Sequence, residues 1–364
     1  MSSGPSQLAD KRRNYLELLR FCRDLENDAN TDQDTGSVVL ALNSLQDGPG
    51  AARSLFPLLY QNAGTTGLWD QLEQDAQQFL KTTAMVLVAR EAASQRWLKK
   101  AIESFQKADI PIILLKGAAF SGYLYTEEAP RPGVDVDLLV QQRDFKTACD
   151  ILQQTMNPLV IDEDRLATHE NLFERVFMPD NSSNPAVELH RGLTNPHIFN
   201  ISEDALWQAS EPHCNYNNEN VRVLSPNHTL LHLAVHGFRD LDFCSHSLLD
   251  ADRMVLLRGI DEKSLYKDAQ TWGAKAVLYH FLINCKQLMG TRIPVSLLSR
   301  LEPRRLSKRA QLMALANAPL ETKGISRHRF RQLWSQLIFP DRLSAALKFQ
   351  THYSVTRFKD LLLR

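Results

Sequence analysis

Two aspartates separated by a single residue interrupt an apolar segment in the first half of the chain. Asp135 and Asp137 lie in residues 134–140, a β-branched and aliphatic run that predicts a buried strand. Strand residues two apart point to the same face, so the two carboxylates should project side by side. Buried neighbouring carboxylates repel each other unless a cation compensates them, and an all-oxygen site suits Mg²⁺ or Mn²⁺. The same spacing also occurs in turns and on solvated faces, so the surrounding sequence must decide.

A lysine and a glycine end the apolar segment that precedes this strand. Residues 111–115 predict a strand, and Lys116-Gly117 follows directly. We expect a helix from Gly117 to Tyr125, whose first backbone N–H groups would face the end of the strand and bind phosphate. The Lys116 ammonium would add a point charge for the β- or γ-phosphate.

Arg131 lies four residues before the first of the two aspartates. Its planar guanidinium is suited to bidentate contacts with a phosphate, which would make it part of a nucleotide site. An ion pair with Asp135 or Asp137 would fit the spacing equally well and would be purely structural. Both interpretations remain open at the level of the sequence.

Together these elements resemble the nucleotidyltransferase superfamily, which uses a glycine turn, a helix and an Asp-x-Asp strand. The closer resemblance is to a bacterial branch described as uncharacterised nucleotidyltransferase, and it covers roughly residues 100–240. The pattern of that branch is Leu-Lys-Gly, a helix with tyrosine, and Arg-x-x-x-Asp-h-Asp-h-h-Val, where h is apolar. The matching residues are Leu115, Lys116, Gly117, Tyr123, Tyr125, Arg131, Asp135, Asp137 and Val140.

The resemblance implies further site residues on a later strand. Members of the family have a third acidic residue with a histidine close by, and residues 186–190 supply Glu188 and His190. The catalytic and metal-binding residues implied in this way are Asp135, Asp137 and Glu188. The implied nucleotide-binding residues are Lys116, Gly117, Ala118, Arg131 and His190. Ala118 stands where most nucleotidyltransferases have a serine that contacts the triphosphate, so the backbone N–H groups and the two cationic side chains would have to hold the nucleotide.

The resemblance also implies a reaction. Three converging carboxylates could hold Mg²⁺ ions that support in-line attack of an acceptor hydroxyl on the α-phosphate of an NTP. We therefore expect a nucleotidyltransferase of the phosphorus-group class that acts on a small-molecule or glycan-related acceptor. Two alternatives stay open: a degenerate protein that binds a nucleotide or a partner without catalysis, which Ala118 favours, and a toxin-like or RNA-modifying transferase.

Composition narrows the class of protein. The 364 residues carry 42 basic and 42 acidic side chains, so no overall field favours a nucleic acid or a membrane surface. Five cysteines without paired spacing suit reduced thiols. The chain begins without an apolar leader and has no apolar run long enough to cross a bilayer, so we expect a cytoplasmic protein. P-loop, Rossmann, hydrolase-elbow and zincin motifs are also absent from the sequence.

Periodicity predicts an α+β fold, with a mixed-sheet core of the nucleotidyltransferase type between two helical regions. We divide the chain into an N-terminal helical subdomain (1–106), an α/β core (107–200) and a C-terminal helical domain (201–364). The segment 75–106 should form one long helix or two nearly continuous ones. The other predicted helices are 143–154, 226–237 (with Ser225 as its N-cap), 247–257, 262–272 and 274–289. Segments 28–35 and 46–50 predict loops. The later strands, 172–178 and 187–189, are joined by a turn at 179–185 and should be antiparallel. The last 64 residues carry thirteen Lys and Arg against four acidic residues. That excess fits either solvated surface or an acidic partner such as RNA.

Overall fold

The structure is a computed structural model that describes most of the chain. The described residues are 5–23, 35–43, 54–133, 135–158, 173–179, 184–194, 196–240 and 246–304, with the single residues 341, 344 and 351. The predicted loops at 28–35 and 46–50 lie outside these ranges, except for Thr35, which begins a helix. Most of the basic C-terminal segment and of the predicted turn at 179–185 also lies outside them.

Helices dominate the described part of the chain before the sheet. They are α1 (Pro5–Phe21), α2 (Thr35–Asn43), α3 (Phe56–Thr65) and α4 (Gln74–Lys107). The long helix predicted over 75–106 is confirmed as the single helix α4, since no glycine or proline interrupts it. It buries a stripe that includes Leu80, Leu98 and Phe105. Its buried Glu91 accepts a hydrogen bond from Gly133 N at 3.3 Å, so α4 also supports the chain that enters the Asp-x-Asp strand.

The described strands form one mixed sheet of seven strands, which confirms the α+β prediction. In chain order they are β1 (Ile112–Leu115), β2 (Asp135–Leu139), β3 (Met156–Pro158), β4 (Glu174–Pro179), β5 (Ala186–His190), β6 (Glu211–Pro212) and β7 (Val221–Val223). Their order across the sheet is β3-β4-β5-β2-β1-β7-β6. As predicted, β4 and β5 are antiparallel, whereas β2 pairs with β5 in parallel.

Three short helices connect the strands: α5 (Lys116–Phe120), α6 (Phe145–Leu152) and α7 (Glu203–Ala209). The prediction of a helix from Gly117 to Tyr125 is wrong in its length, because the chain leaves the helical conformation at Ser121 and turns through Gly122, where φ is +69°. Strands β6 and β7 were not predicted, since two or three residues are too few to show a period.

The described chain after the sheet is helical. It forms α8 (Pro226–Asp240), α9 (Ser247–Arg258), α10 (Glu262–Trp272), α11 (Lys275–Asn284), a π-helical turn (Cys285–Met289) and α12 (Val295–Leu301). Ser225 Oγ accepts from His228 N at 3.3 Å, which confirms the predicted N-cap of α8. That helix does not end at Gly237 as predicted, because Gly237 keeps a helical backbone. In the described residues, no helix is both long and apolar enough to cross a membrane.

Candidate functional site

The parallel pairing of β2 with β5 brings the predicted acidic residues together. In this register Asp137 is directly opposite Glu188, and Leu139 is opposite His190. Because paired residues share a face of the sheet, the side chains of Asp137, Glu188 and His190 lie on one face, together with that of Asp135. Two residues of β2 and two of β5 therefore converge although more than 45 positions separate them in the chain.

Asp137 is the most enclosed carboxylate of the group, with its side chain 2% exposed. Its Oδ1 accepts a hydrogen bond from Lys116 Nζ at 2.7 Å and lies 3.1 Å from His190 Nε2. Burial by itself would raise the pKa of Asp137, but the charge of Lys116 and the hydrogen bond with His190 outweigh it and hold the pKa well below its usual range. Asp137 is thus a carboxylate that stays ionised.

Glu188 has the opposite electrostatic character. Burial and the neighbouring charge of Asp137 raise its pKa to about 8, even though Lys116 Nζ lies 3.9 Å from its Oε2. Within the described residues that Oε2 atom is buried without a hydrogen-bond partner. Burial and Asp137 raise the pKa of Asp135 as well. The face therefore does not stabilise all three carboxylates in the ionised form without a further positive charge, which favours the binding of a cation.

Lys116 reaches the carboxylates because of its backbone conformation. It is the first residue of α5 and has a φ of +46°, a left-handed conformation that is uncommon for a residue other than glycine. Such a conformation costs on the order of 1 kcal/mol and is typical of functional sites. Strand β1 ends at Leu115, which pairs with Asp137 of β2. The side chain of Lys116, the next residue, therefore folds back so that its ammonium lies over β2. Although burial lowers the pKa of Lys116, Asp137 and Glu188 raise it above its usual value, so the ammonium stays charged.

Arg131 does not pair with either aspartate of β2 in the described structure. Its Nη2 lies 2.8 Å from Asp250 Oδ2 on α9, and both side chains are buried. The structural alternative from the sequence, an ion pair with Asp135 or Asp137, is therefore wrong in its partner. Asp250 also accepts a hydrogen bond from Tyr125 Oη at 2.6 Å. Sequence reasoning missed this partner, since nothing in the pattern links α9 to the glycine turn.

The guanidinium of Arg131 also packs against the glycine turn. A Cβ atom added to Gly117 would lie 3.2 Å from Arg131 Nη1, so the small residue permits this close approach. Ala118, the next residue, is buried at the start of the short helix α5. The Arg131 side chain therefore packs against the glycine turn and supports its backbone. Whether Gly117, Ala118 and Arg131 bind a nucleotide stays a prediction.

The residues that could hold a metal ion differ in one member from the predicted set. One ligand atom from each of Asp137, Glu188 and His190 lies within 4.8 Å of the others, whereas Asp135 is outside this group. His190, predicted as a nucleotide ligand, is 2% exposed, and its Nδ1 lies 3.4 Å from Glu174 Oε2. Carboxylate ligands suit Mg²⁺ and Mn²⁺, whereas an imidazole ligand suits Zn²⁺ and Fe²⁺, so the imidazole sets this group apart from the all-oxygen site that the two aspartates predict. The ordinary spacing of residues 188 and 190 on a strand was the signal that they share a face.

Glu174 and His246 are two further neighbours that sequence reasoning did not identify. Glu174 is buried opposite His190 on β4. His246 directly precedes α9, and burial together with the charges of Arg131 and Lys116 lowers its pKa well below its usual value. A neutral imidazole therefore lies near the two cationic side chains. No feature of the sequence around residue 246 signals this position.

A protein-family model described as uncharacterised nucleotidyltransferase matches residues 51–290. The match includes α4, the whole sheet, and the helices from α5 to α11. No curated protein and no solved structure matches the chain significantly.

Proposed function

Because this chain belongs to the uncharacterised nucleotidyltransferase family, we propose that it transfers a nucleoside monophosphate from an NTP to the hydroxyl group of an acceptor. The reaction depends on Mg²⁺ or Mn²⁺. The observation that carries the proposal is the pairing of Asp137 with Glu188 on parallel strands, with His190 beside them. Family membership supports the transfer reaction in general, and this cluster supports a divalent cation at its centre.

The donor atoms fit such a cation. Asp137 offers a carboxylate that stays ionised, and Glu188 offers a buried oxygen without a hydrogen-bond partner in the described residues. Asp135 lies on the same face and would contribute from the edge of the group. When bound, a divalent ion would neutralise charge on the triphosphate and on the departing pyrophosphate.

Side chains of the protein position the phosphate, the acceptor hydroxyl and the carboxylates. Lys116 lies beside the carboxylates at the glycine turn, where its ammonium would bind a non-bridging phosphate oxygen as a point charge. Glu188 has the partial exposure that an acceptor hydroxyl requires, and its raised pKa suits it to accept the proton of that hydroxyl. His190 orients Asp137 through their hydrogen bond. Holding the hydroxyl in line with the α-phosphate provides most of the rate enhancement.

The direct test is a thermal-shift measurement with each of the four NTPs, with and without Mg²⁺ or Mn²⁺. A ligand at 100 times its dissociation constant adds about 2.7 kcal/mol to the free energy of unfolding, which is readily detected. We expect a shift that needs both the metal and one preferred NTP, and that disappears in Asp137→Asn. A protein that none of the combinations stabilises would contradict the proposal.

A further inference from the structure

A cavity lies at the carboxyl end of β2 and β5, next to the candidate site. Its volume is about 170 Å³, and its walls are mainly apolar and aromatic. Leu139, Phe173, Phe199 and Trp207 form much of the lining. Phe199 and Leu139 are almost fully buried, so the floor of the cavity belongs to the folded core.

Two residues join this cavity to the carboxylate cluster. Leu139 follows Asp137 by two positions on the same face of β2, which places the cavity about 7 Å along the strand from that carboxylate. Phe173 stacks on the ring of His190, with 6.4 Å between the ring centroids. Its carbonyl accepts a hydrogen bond from Arg191 N at 2.8 Å and extends the ladder between β4 and β5. One aromatic ring therefore contacts both the cavity and the site.

The size and lining of the cavity define the chemistry of its ligand. A cavity of about 150 Å³ accommodates benzene, so this one has room for a single six-membered ring. The lining also includes the polar residues Gln142 and Thr194, which can exchange hydrogen bonds with an oxygen atom of the ligand. Arg191 and Glu203 bring opposite charges to the lining, which favours a neutral ligand.

We propose that this cavity is the acceptor subsite and that it binds a neutral six-membered ring bearing a hydroxyl group. The inference rests on the proposed transfer reaction, since an acceptor is meaningful only with a donor. Lys116 and the glycine turn follow β1, on one side of the β2–β5 pair, whereas Phe173 precedes β4 on the other side. A triphosphate held at the turn would leave the cavity to the acceptor. The ring can belong to a sugar or to a phenol, and the test separates them.

The test measures binding of three fluorinated probes by ¹⁹F NMR in the absence of metal and nucleotide. The probes are 4-fluorophenol, methyl 6-deoxy-6-fluoro-glucopyranoside and fluorobenzene. We expect the phenol or the glucoside to bind the wild-type protein more tightly than fluorobenzene, because only these two carry hydroxyl groups. Binding of the phenol alone would assign an aromatic acceptor, and binding of the glucoside a sugar. If neither bound, or if fluorobenzene bound equally well, the proposed ligand chemistry would be wrong.

Variants at two positions locate the probe. Gly192 lines the cavity, and an added Cβ would meet only ordinary contacts, the nearest at 3.7 Å from Phe173 Cβ. Gly192→Leu should therefore weaken binding at least tenfold, and Gly192→Ala serves as the matched control. Trp207→Ala removes an aromatic wall of the cavity, so the probe should bind about three- to tenfold more weakly. Unchanged binding in the folded Gly192→Leu and Trp207→Ala variants would place the probe elsewhere.

Addition of each NTP with Mn²⁺ then distinguishes the acceptor from the base of the nucleotide. We expect the probe to stay bound, since the two ligands occupy different sides of the carboxylates. Displacement of the probe would identify the cavity as the base pocket and overturn the acceptor assignment. Because probe binding needs no donor, failure of the proposed transfer would appear separately, as a missing thermal shift with all four NTPs.

Discussion

Lys116 and Asp137 form an ion pair at the centre of the candidate site, with 2.7 Å between Nζ and Oδ1. The carboxylate that the proposed function assigns to a metal ion is therefore also the partner of a protein cation. A divalent ion and the ammonium must share Asp137 or exchange places on it. Lys116 thus links the carboxylate cluster to the glycine turn.

Replacing Lys116 with methionine should strengthen metal binding and weaken nucleotide binding. The ammonium repels a divalent ion at close range, and its removal should raise the affinity for Mn²⁺ alone by about tenfold or more. Isothermal titration with Mn²⁺, and separately with an NTP in saturating Mn²⁺, would measure the two effects. Lys146→Met, on the exposed surface of α6, is the control. Weaker Mn²⁺ binding in Lys116→Met would show that the ammonium supports the metal site.

Removing the charge of Asp137 should destabilise the protein, whereas removing that of Asp135 should not. The pKa of Asp137 is depressed in the folded state, so its contribution to stability is fully present at pH 7 and is lost as the pH falls through the folded pKa. Asp137→Asn should therefore cost about 3 kcal/mol of unfolding free energy at pH 7. Asp135, whose pKa burial raises, should tolerate asparagine with unchanged or higher stability.

Urea unfolding in EDTA would measure both aspartate variants under the same conditions. The sequence alone predicts that the double variant Asp135→Asn with Asp137→Asn keeps or gains stability, because the repulsion between the carboxylates is removed. The contacts of Asp137 with Lys116 and His190 indicate opposite signs for the two positions. Equal stability changes in the two variants would contradict this assignment.

Glu188→Gln should flatten the dependence of stability on pH. The folded protein holds the proton of Glu188 up to about pH 8, whereas the unfolded chain releases it near pH 4.5. Wild-type stability should therefore decrease between these values relative to Glu188→Gln, because the unfolded state binds fewer protons. One pKa unit corresponds to about 1.4 kcal/mol, so the variant should gain at least about 1 kcal/mol at pH 8. Urea unfolding in EDTA from pH 5 to 9 would measure it, with the exposed Glu103→Gln as control.

Replacing either member of the buried ion pair between Arg131 and Asp250 should lower the free energy of unfolding. Asp250→Asn leaves the buried guanidinium without its counter-charge, and Arg131→Met leaves the buried carboxylate without its counter-charge. Each variant should therefore lose about 3–5 kcal/mol of unfolding free energy. The double variant Arg131→Met with Asp250→Asn should lose less than the sum of the single changes. Urea denaturation of the four proteins would measure the coupling. Fully additive losses would mean that the pair contributes no interaction of its own.

The local parts of the site follow from the sequence. Alternation on β2 places Asp135 and Asp137 on one face, and the same rule places Glu188 with His190. The start of α8 is also readable, because Ser225 and Pro226 are a standard helix-start pair. Each of these inferences depends on residues that are close in the chain.

The remaining parts depend on contacts between distant segments. The hydrogen bond of His190 with Asp137 exists only because β2 and β5 pair in parallel in one register, and no local pattern sets that register. The partner of Arg131 lies 119 positions away on α9, in a helix whose periodicity indicates burial but not a counter-ion. Strand β7 pairs with β1 along only three residues, too few for a sequence period to reveal.

The dependence of Arg131 on Asp250 bears on how such a core could be exchanged between proteins. The residue that supports the glycine turn takes its counter-charge from α9, beyond the last strand of the sheet. A protein that kept the sheet without this helix would leave the buried guanidinium without a counter-charge. The glycine turn therefore depends on a helix that lies outside the sheet.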